Sequence, residues 1–87
     1  MLFQSGNIVA TPGALALAER GIDLLEYLQR HLNGDWGDLC EEDKDENLFS
    51  LKHGLRLLST YNTPFGVLWI ITEANRSVTT FLLPEEY

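Results

Sequence analysis

The side chains with the most chemistry to offer are crowded into one stretch. "NGDWGDLCEEDKDEN", residues 33–47, holds seven of the chain's thirteen carboxylates, its single cysteine and one of its two tryptophans. Asp43, Asp45 and Asn47 imitate the first half of a calcium-binding EF-hand loop. The sixth position, where that loop turns on a glycine, is Leu48, and the twelfth, where it takes a bidentate Glu, is Gly54. Calcium is therefore not expected. His31, Asp35, Asp38 and Cys40 are ligand types a transition metal accepts, but their spacing matches no common metal motif. Catalysis by paired carboxylates needs two acids whose environments push their pKa values apart. A run of like charge open to water does the opposite, so these acids read as a solvated helix face. No metal and no cofactor follow from these residues.

A second set, His31, His53, Arg56, Glu73 and Arg76, contains the base, acid and cations that cleavage at a phosphate requires. Helices followed by an antiparallel meander are similar to the small ribonuclease and toxin folds of the barnase and RelE kind. A ribonuclease-like enzyme is accordingly the alternative reading, although likeness of fold licenses no activity by itself. The chain has no phosphate-binding glycine loop, no G-x-S-x-G, no C-x-x-C and no H-E-x-x-H. The leading expectation is a non-enzymatic protein-interaction module. Its docking surface would comprise Asp35, Trp36, Asp38, Glu42, Asp43, Asp45 and Glu46. Trp36, set between Gly34 and Gly37, has two readings: a ring that closes one end of the core, or an exposed docking residue.

Composition bounds the partners. Eighty-seven residues make one domain, and a net charge of −7 with only six Lys plus Arg disfavours nucleic acid and anionic membranes, whose affinity comes from cations neutralising phosphates. A protein partner, basic in character, suits the charge better. With one cysteine no internal disulfide forms, which suits a reducing, cytoplasmic setting. "MLFQSGNIVATPGA" lacks a basic leader and a long apolar run, and no stretch approaches the about 20 apolar residues of a membrane span.

The elements that must position these groups are legible in outline. "NIVAT", residues 7–11, reads as a short strand. Thr11 and Pro12 read as N-cap and first residue of a helix that ends at Gly21. Asp23 caps a second helix whose buried stripe is Leu24, Leu25, Leu28 and Leu32, with His31 at its C-terminal end near free carbonyls. A third helix is expected from Asp38, with Glu41 completing a capping box and Gly54 as the stop; Cys40, Leu48, Leu51 and Leu55 form its apolar positions. Beyond Gly54 the period changes from 3.6 to 2. "LRLLSTY", "VLWIITE" and "SVTTFLL" read as an antiparallel meander, with Asn75 a candidate for positive φ in the last turn. The order β-α-α-α-β-β-β makes an α+β domain. Both faces of the meander are apolar and one helical layer covers one face. A two-fold dimer through the sheet, with "SVTTFLL" as an unguarded edge, is therefore expected; the competing arrangement folds "MLFQSGNIVA" over the second face.

"HLNGDWGDLCEEDKDEN", "SLKHGLRLLSTY" and "WIITEANRSVTTFLLPEEY" resemble a family of small uncharacterised bacterial proteins linked to plasmids and mobile elements. The likeness runs from about Ile8 to Tyr87. It implies a bacterial accessory protein of mobile DNA and supplies no catalytic residue.

Overall fold

The computed structural model describes residues 1–87. Strand β1 (Asn7–Ala10) leads into helices α1 (Pro12–Glu19), α2 (Leu24–Leu32) and α3 (Glu41–His53), followed by strands β2 (Leu57–Thr63), β3 (Gly66–Thr72) and β4 (Val78–Leu82). The α+β class and the order of elements are as expected. The local signals act as read. The Thr11 hydroxyl accepts from the Ala14 amide, the Asp23 carboxylate accepts from Leu25 and Glu26, and α3 stops at Gly54 with φ 67°.

The four strands form one sheet in the order β1-β4-β3-β2. β2, β3 and β4 pair antiparallel, and β1 pairs parallel with β4, Ile8 opposite Thr79 and Ala10 opposite Phe81. The "SVTTFLL" strand is thus interior rather than an edge, because the N-terminal strand returns alongside it. Positive φ in the last turn falls on Arg76 (60°) instead of Asn75; the Asn75 carboxamide accepts from the Ser77 amide and hydroxyl.

One face of the sheet carries the core. Leu57, Ser59 and Tyr61 of β2, Leu68, Ile70 and Thr72 of β3, and Thr79 and Phe81 of β4 are all buried there. Ala14 and Leu17 of α1, Leu28 and Leu32 of α2, and Trp36 and Phe3 close over them. Burying each large apolar side chain contributes about 1.5–3 kcal/mol. Leu25 is an exception to the expected α2 stripe, at 65% exposed. The N-terminal segment reaches this helical side, where Phe3 enters the core and the Leu2 amide donates to the Leu32 carbonyl at 2.7 Å. It does not fold over the second face.

Val67, Trp69 and Ile71 share that second face with Leu58, Thr80 and Leu82, as the period-2 spacing requires. The last residues supply its cover. The Glu86 carboxylate accepts from the Thr11 hydroxyl (2.5 Å) and from the Gly13 (2.9 Å) and Leu83 (2.8 Å) amides. Thus anchored, the chain lays Tyr87 edge-on to Trp69, with ring centroids 5.7 Å apart, and its hydroxyl accepts from Arg56. No helix is long and apolar enough to cross a membrane.

Candidate functional site

The acidic stretch divides into two parts with different physics. Residues 35–38 are structural. Along the outer edge of β2 the Thr60 amide donates to the Trp36 carbonyl, the Asp38 amide donates to the Thr60 carbonyl, and the Asp38 carboxylate accepts from the Asn62 amide. Gly37 and Thr60 form a parallel bridge there. A Cβ on Gly37 would lie 2.0 Å from the Thr60 carbonyl oxygen, and its φ is +77°, so only glycine lets the loop lie this close. Asp38 therefore serves β2 instead of capping α3. The helix begins at Glu41 behind Cys40, which gives no side-chain cap. A strand-edge amide with no other acceptor outweighs a local cap. Cys40 is exposed, not buried.

Asp35 fixes the same loop. Its carboxylate accepts from Arg30 Nε at 2.7 Å and from the Gly37 amide, while its carbonyl accepts from the Tyr61 hydroxyl at 2.6 Å. The Arg30 hydrogen bond holds the Asp35 carboxyl below its usual range and raises the guanidinium in turn. Burial pushes the Tyr61 phenol up to about 12. Trp36, only 4% exposed, packs beside Phe3 and His31. It closes the core and is not available for docking, which corrects its place in the expected surface.

The second part, Glu42, Asp43, Asp45 and Glu46 on α3, is exposed, together with Glu41. Helix α3 is inverted relative to an ordinary amphipathic helix. Its buried residues are polar, Asn47 and Ser50, whereas Leu48 (56%) and Phe49 (53%) face water. The Asn47 carboxamide grips β2 as another strand would: Nδ2 donates to the Leu58 carbonyl and Oδ1 accepts from the Leu58 amide. Of the apolar positions expected to be buried, only Leu51 packs against the core; Leu55 is 45% exposed. Helical spacing aligns Glu42, Asp45 and Phe49 in one row, and Glu41, Asp45 and Leu48 in the next. Glu41, Leu48 and Phe49 were not among the expected docking residues. The available signal was a large apolar pair directly behind an acidic run.

The members of the phosphate-chemistry set make structural contacts. His31 is fully buried, away from the helix-end carbonyls. Its Nδ1 lies 2.6 Å from Ser59 Oγ and its Nε2 2.9 Å from Thr72 Oγ1; Thr72 lies 2.8 Å from Thr79 Oγ1, which donates to the Ser5 carbonyl at 2.7 Å. These bonds have one consistent direction. Thr79 spends its proton on Ser5, so Thr72 donates to Thr79, Nε2–H donates to Thr72, and Ser59 donates to Nδ1. Burial, reinforced by the charge of Arg76, lowers the His31 pKa to about 4, so the ring is neutral.

Arg76 donates to the carbonyls of Leu55, Glu73, Ala74 and Ser50, and its guanidinium lies over the Phe3 ring at 5.7 Å. Arg56 lies 3.7 Å from Glu73 and donates to Tyr87. These three adjoin one another. His53 instead stacks on Phe49 at 4.1 Å on the outside of α3, and His31 lies inside the core. His31, fully buried with both ring nitrogens hydrogen-bonded, is closed to a substrate. No group of three or more His, Cys, Asp or Glu side chains has metal-binding geometry, and the surface forms no pocket. No family model, no curated protein and no solved structure matches the chain.

Proposed function

We propose that the protein is an interaction module that holds a basic, apolar segment of a partner protein against the outer face of α3. The observation that carries this reading is the inversion of the helix. Leu48 and Phe49 lie in water beside Glu41, Glu42 and Asp45, while Asn47 and Ser50 are inside. Two large apolar side chains in a field of carboxylates complement a helix with apolar anchors and Lys or Arg around them. Polyphosphate partners are repelled by the same carboxylates. The expected docking residues Glu42, Asp43, Asp45 and Glu46 stay in the proposal; Asp35 and Asp38 leave it with Trp36, since both are engaged in sealing β2. The resemblance of "GDWGDL" and "TEANRSVTTFLLPEEY" to small bacterial proteins of mobile elements supplies the setting, an accessory protein of mobile DNA that acts by binding.

The test is an NMR titration with a synthetic cationic amphipathic peptide carrying Leu and Lys at helical spacing. Salt-sensitive shifts confined to residues 41–49 are expected, abolished by Leu48→Ser with Phe49→Ser and by reversing Asp43, Asp45 and Glu46 to Lys. Shifts scattered over the surface, or unchanged in the Leu48/Phe49 variant, would overturn it.

A further inference from the structure

The two edges of the sheet are treated in opposite ways. On β2 the outward N–H and C=O groups of Leu58 and Thr60 are engaged by Asn47 and by the Trp36–Asp38 loop, and the outward amide of Asn62 donates to the Asp38 carboxylate. On β1 nothing covers the outer side; Asn7, Ile8 and Val9 are exposed, Ile8 at 48% and Val9 at 46%. Exposed strand edges are ordinarily guarded by charge, a bulge or proline. Residues 1–18 contain no Asp, Glu, Lys or Arg, and the first proline comes at position 12, after the strand.

We infer that the outer edge of β1 is an interface for a second copy of this chain, joined by antiparallel β1–β1 pairing into one eight-stranded sheet. The occupant is singled out by charge. A chain of net charge −7 approaches its own copy most readily where that charge is sparse or already engaged. The β1 edge is such a place: it lies at the far side of the sheet from β2, the strand that α3 and its acids pack against, and the carboxylate at its end, Glu86, is already tied to Thr11 and Gly13. A positively charged partner would find there only Glu86, whose carboxylate already accepts from Thr11, Gly13 and Leu83.

The register follows from the ladder. The amides of Asn7 and Thr11 donate inward to Ser77 and Phe81 of the β4 side. The alternation of a strand then turns the N–H and C=O groups of Ile8 and Ala10 outward. A two-fold axis at Val9 sets Ile8 opposite Ala10 of the copy and Ala10 opposite its Ile8, so both outward pairs are satisfied. The two Val9 side chains then meet directly across the axis on the sheet face away from the helices, at the close spacing of a non-hydrogen-bonded pair. Gly6 holds β1 in place for this. Its φ is +63° and a Cβ there would lie 2.3 Å from the Ser77 backbone, so the chain passes against the last turn before entering the strand.

This interface is independent of the α3 reading, and either can fail alone. Light scattering on the full chain is expected to show a mass rising with concentration from 9.9 kDa toward twice that value. Hydrogen exchange by NMR is expected to show Ile8 and Ala10 amides gaining protection with concentration while Val9 is protected throughout. Val9→Lys, which sets two ammonium groups face to face, is expected to weaken association about tenfold or more, and Val9→Thr to preserve it. A mass fixed at 9.9 kDa up to millimolar protein overturns the inference. So does a dimer in which Ile8 and Ala10 exchange as fast as in the monomer, because that dimer uses another surface.

Discussion

Acid should unfold this protein through His31. The ring is buried between Ser59 and Thr72, and the directed chain of hydroxyls leaves Nδ1 facing a donor. Adding a proton there puts a charge into the core and breaks the order of donors. The folded pKa is about 4 against an ordinary 6.5. The folded state thus binds fewer protons than the unfolded chain between these values. Its contribution is fully present above pH 6.5 and is lost as pH falls toward 4. At about 1.4 kcal/mol per pH unit the whole span is worth about 3 kcal/mol, of which about 2.5 is gone by pH ~4.5. That is a large share of the about 4–13 kcal/mol expected for a domain of this size. Other groups of a −7 chain also respond to pH. The assay must therefore compare urea unfolding of the wild type and of His31→Gln, which keeps polar contacts but cannot titrate. The difference in their stabilities should shrink by about 2–3 kcal/mol between neutral pH and pH ~4.5. An imidazole that titrates by NMR near its ordinary value, or a difference that does not move with pH, would mean that His31 is not the source of the acid sensitivity.

The remaining predictions concern the polar groups that close the fold. Asn47→Ala removes both bonds to Leu58 and should cost about 2–3 kcal/mol in urea unfolding, with faster exchange of the Leu58 amide. Gly37→Ala drives a Cβ to 2.0 Å from the Thr60 carbonyl oxygen at φ +77°; a loss of about 3 kcal/mol or more is expected, read as a lowered thermal midpoint. Thr79→Val leaves the Ser5 carbonyl without its donor, at about 1–3 kcal/mol, and frees the Thr72 hydroxyl to donate to Nε2. The His31 tautomer should then switch from Nε2–H to Nδ1–H, which nitrogen chemical shifts report directly.

What was legible in the sequence was whatever is decided locally. Thr11-Pro12, Asp23 and Gly54 act on neighbouring amides and carbonyls, so their meaning does not depend on the rest of the chain. The three strands of the meander and their alternation were legible for the same reason. The place of β1 was not, because parallel pairing with β4 joins residues some seventy positions apart and leaves no turn signature. His31 lay half in view. It falls three residues after Leu28, on the stripe that enters the core, but its partners Ser59, Thr72 and Thr79 come from three different strands. Each is a small hydroxyl at an inward position, unremarkable alone and meaningful only beside the others. Trp36 shows the limit of a local reading, since two flanking glycines required a turn but not the direction in which the ring would point.

Helix α3 defeated the apolar periodicity for a physical reason that also bears on function. A helix laid on a sheet face meets side chains and buries Leu or Val. A helix laid along a strand edge meets N–H and C=O groups, and it must bury hydrogen-bonding residues instead. Asn47 does this by completing the ladder at Leu58, so the polar residue is the one the fold needs. Leu48 and Phe49 are then released from any part in the core, and their 56% and 53% exposure is the consequence. Replacing both with Ser should leave stability within about 1 kcal/mol, since exposed side chains away from caps and buried networks contribute little. A surface whose apolar residues are dispensable to folding is one where selection can act on binding alone. Loss of peptide binding in the Leu48→Ser/Phe49→Ser variant with an unchanged urea midpoint would separate docking from folding. A midpoint that falls as far as that of Asn47→Ala would mean that the two side chains belong to the fold after all.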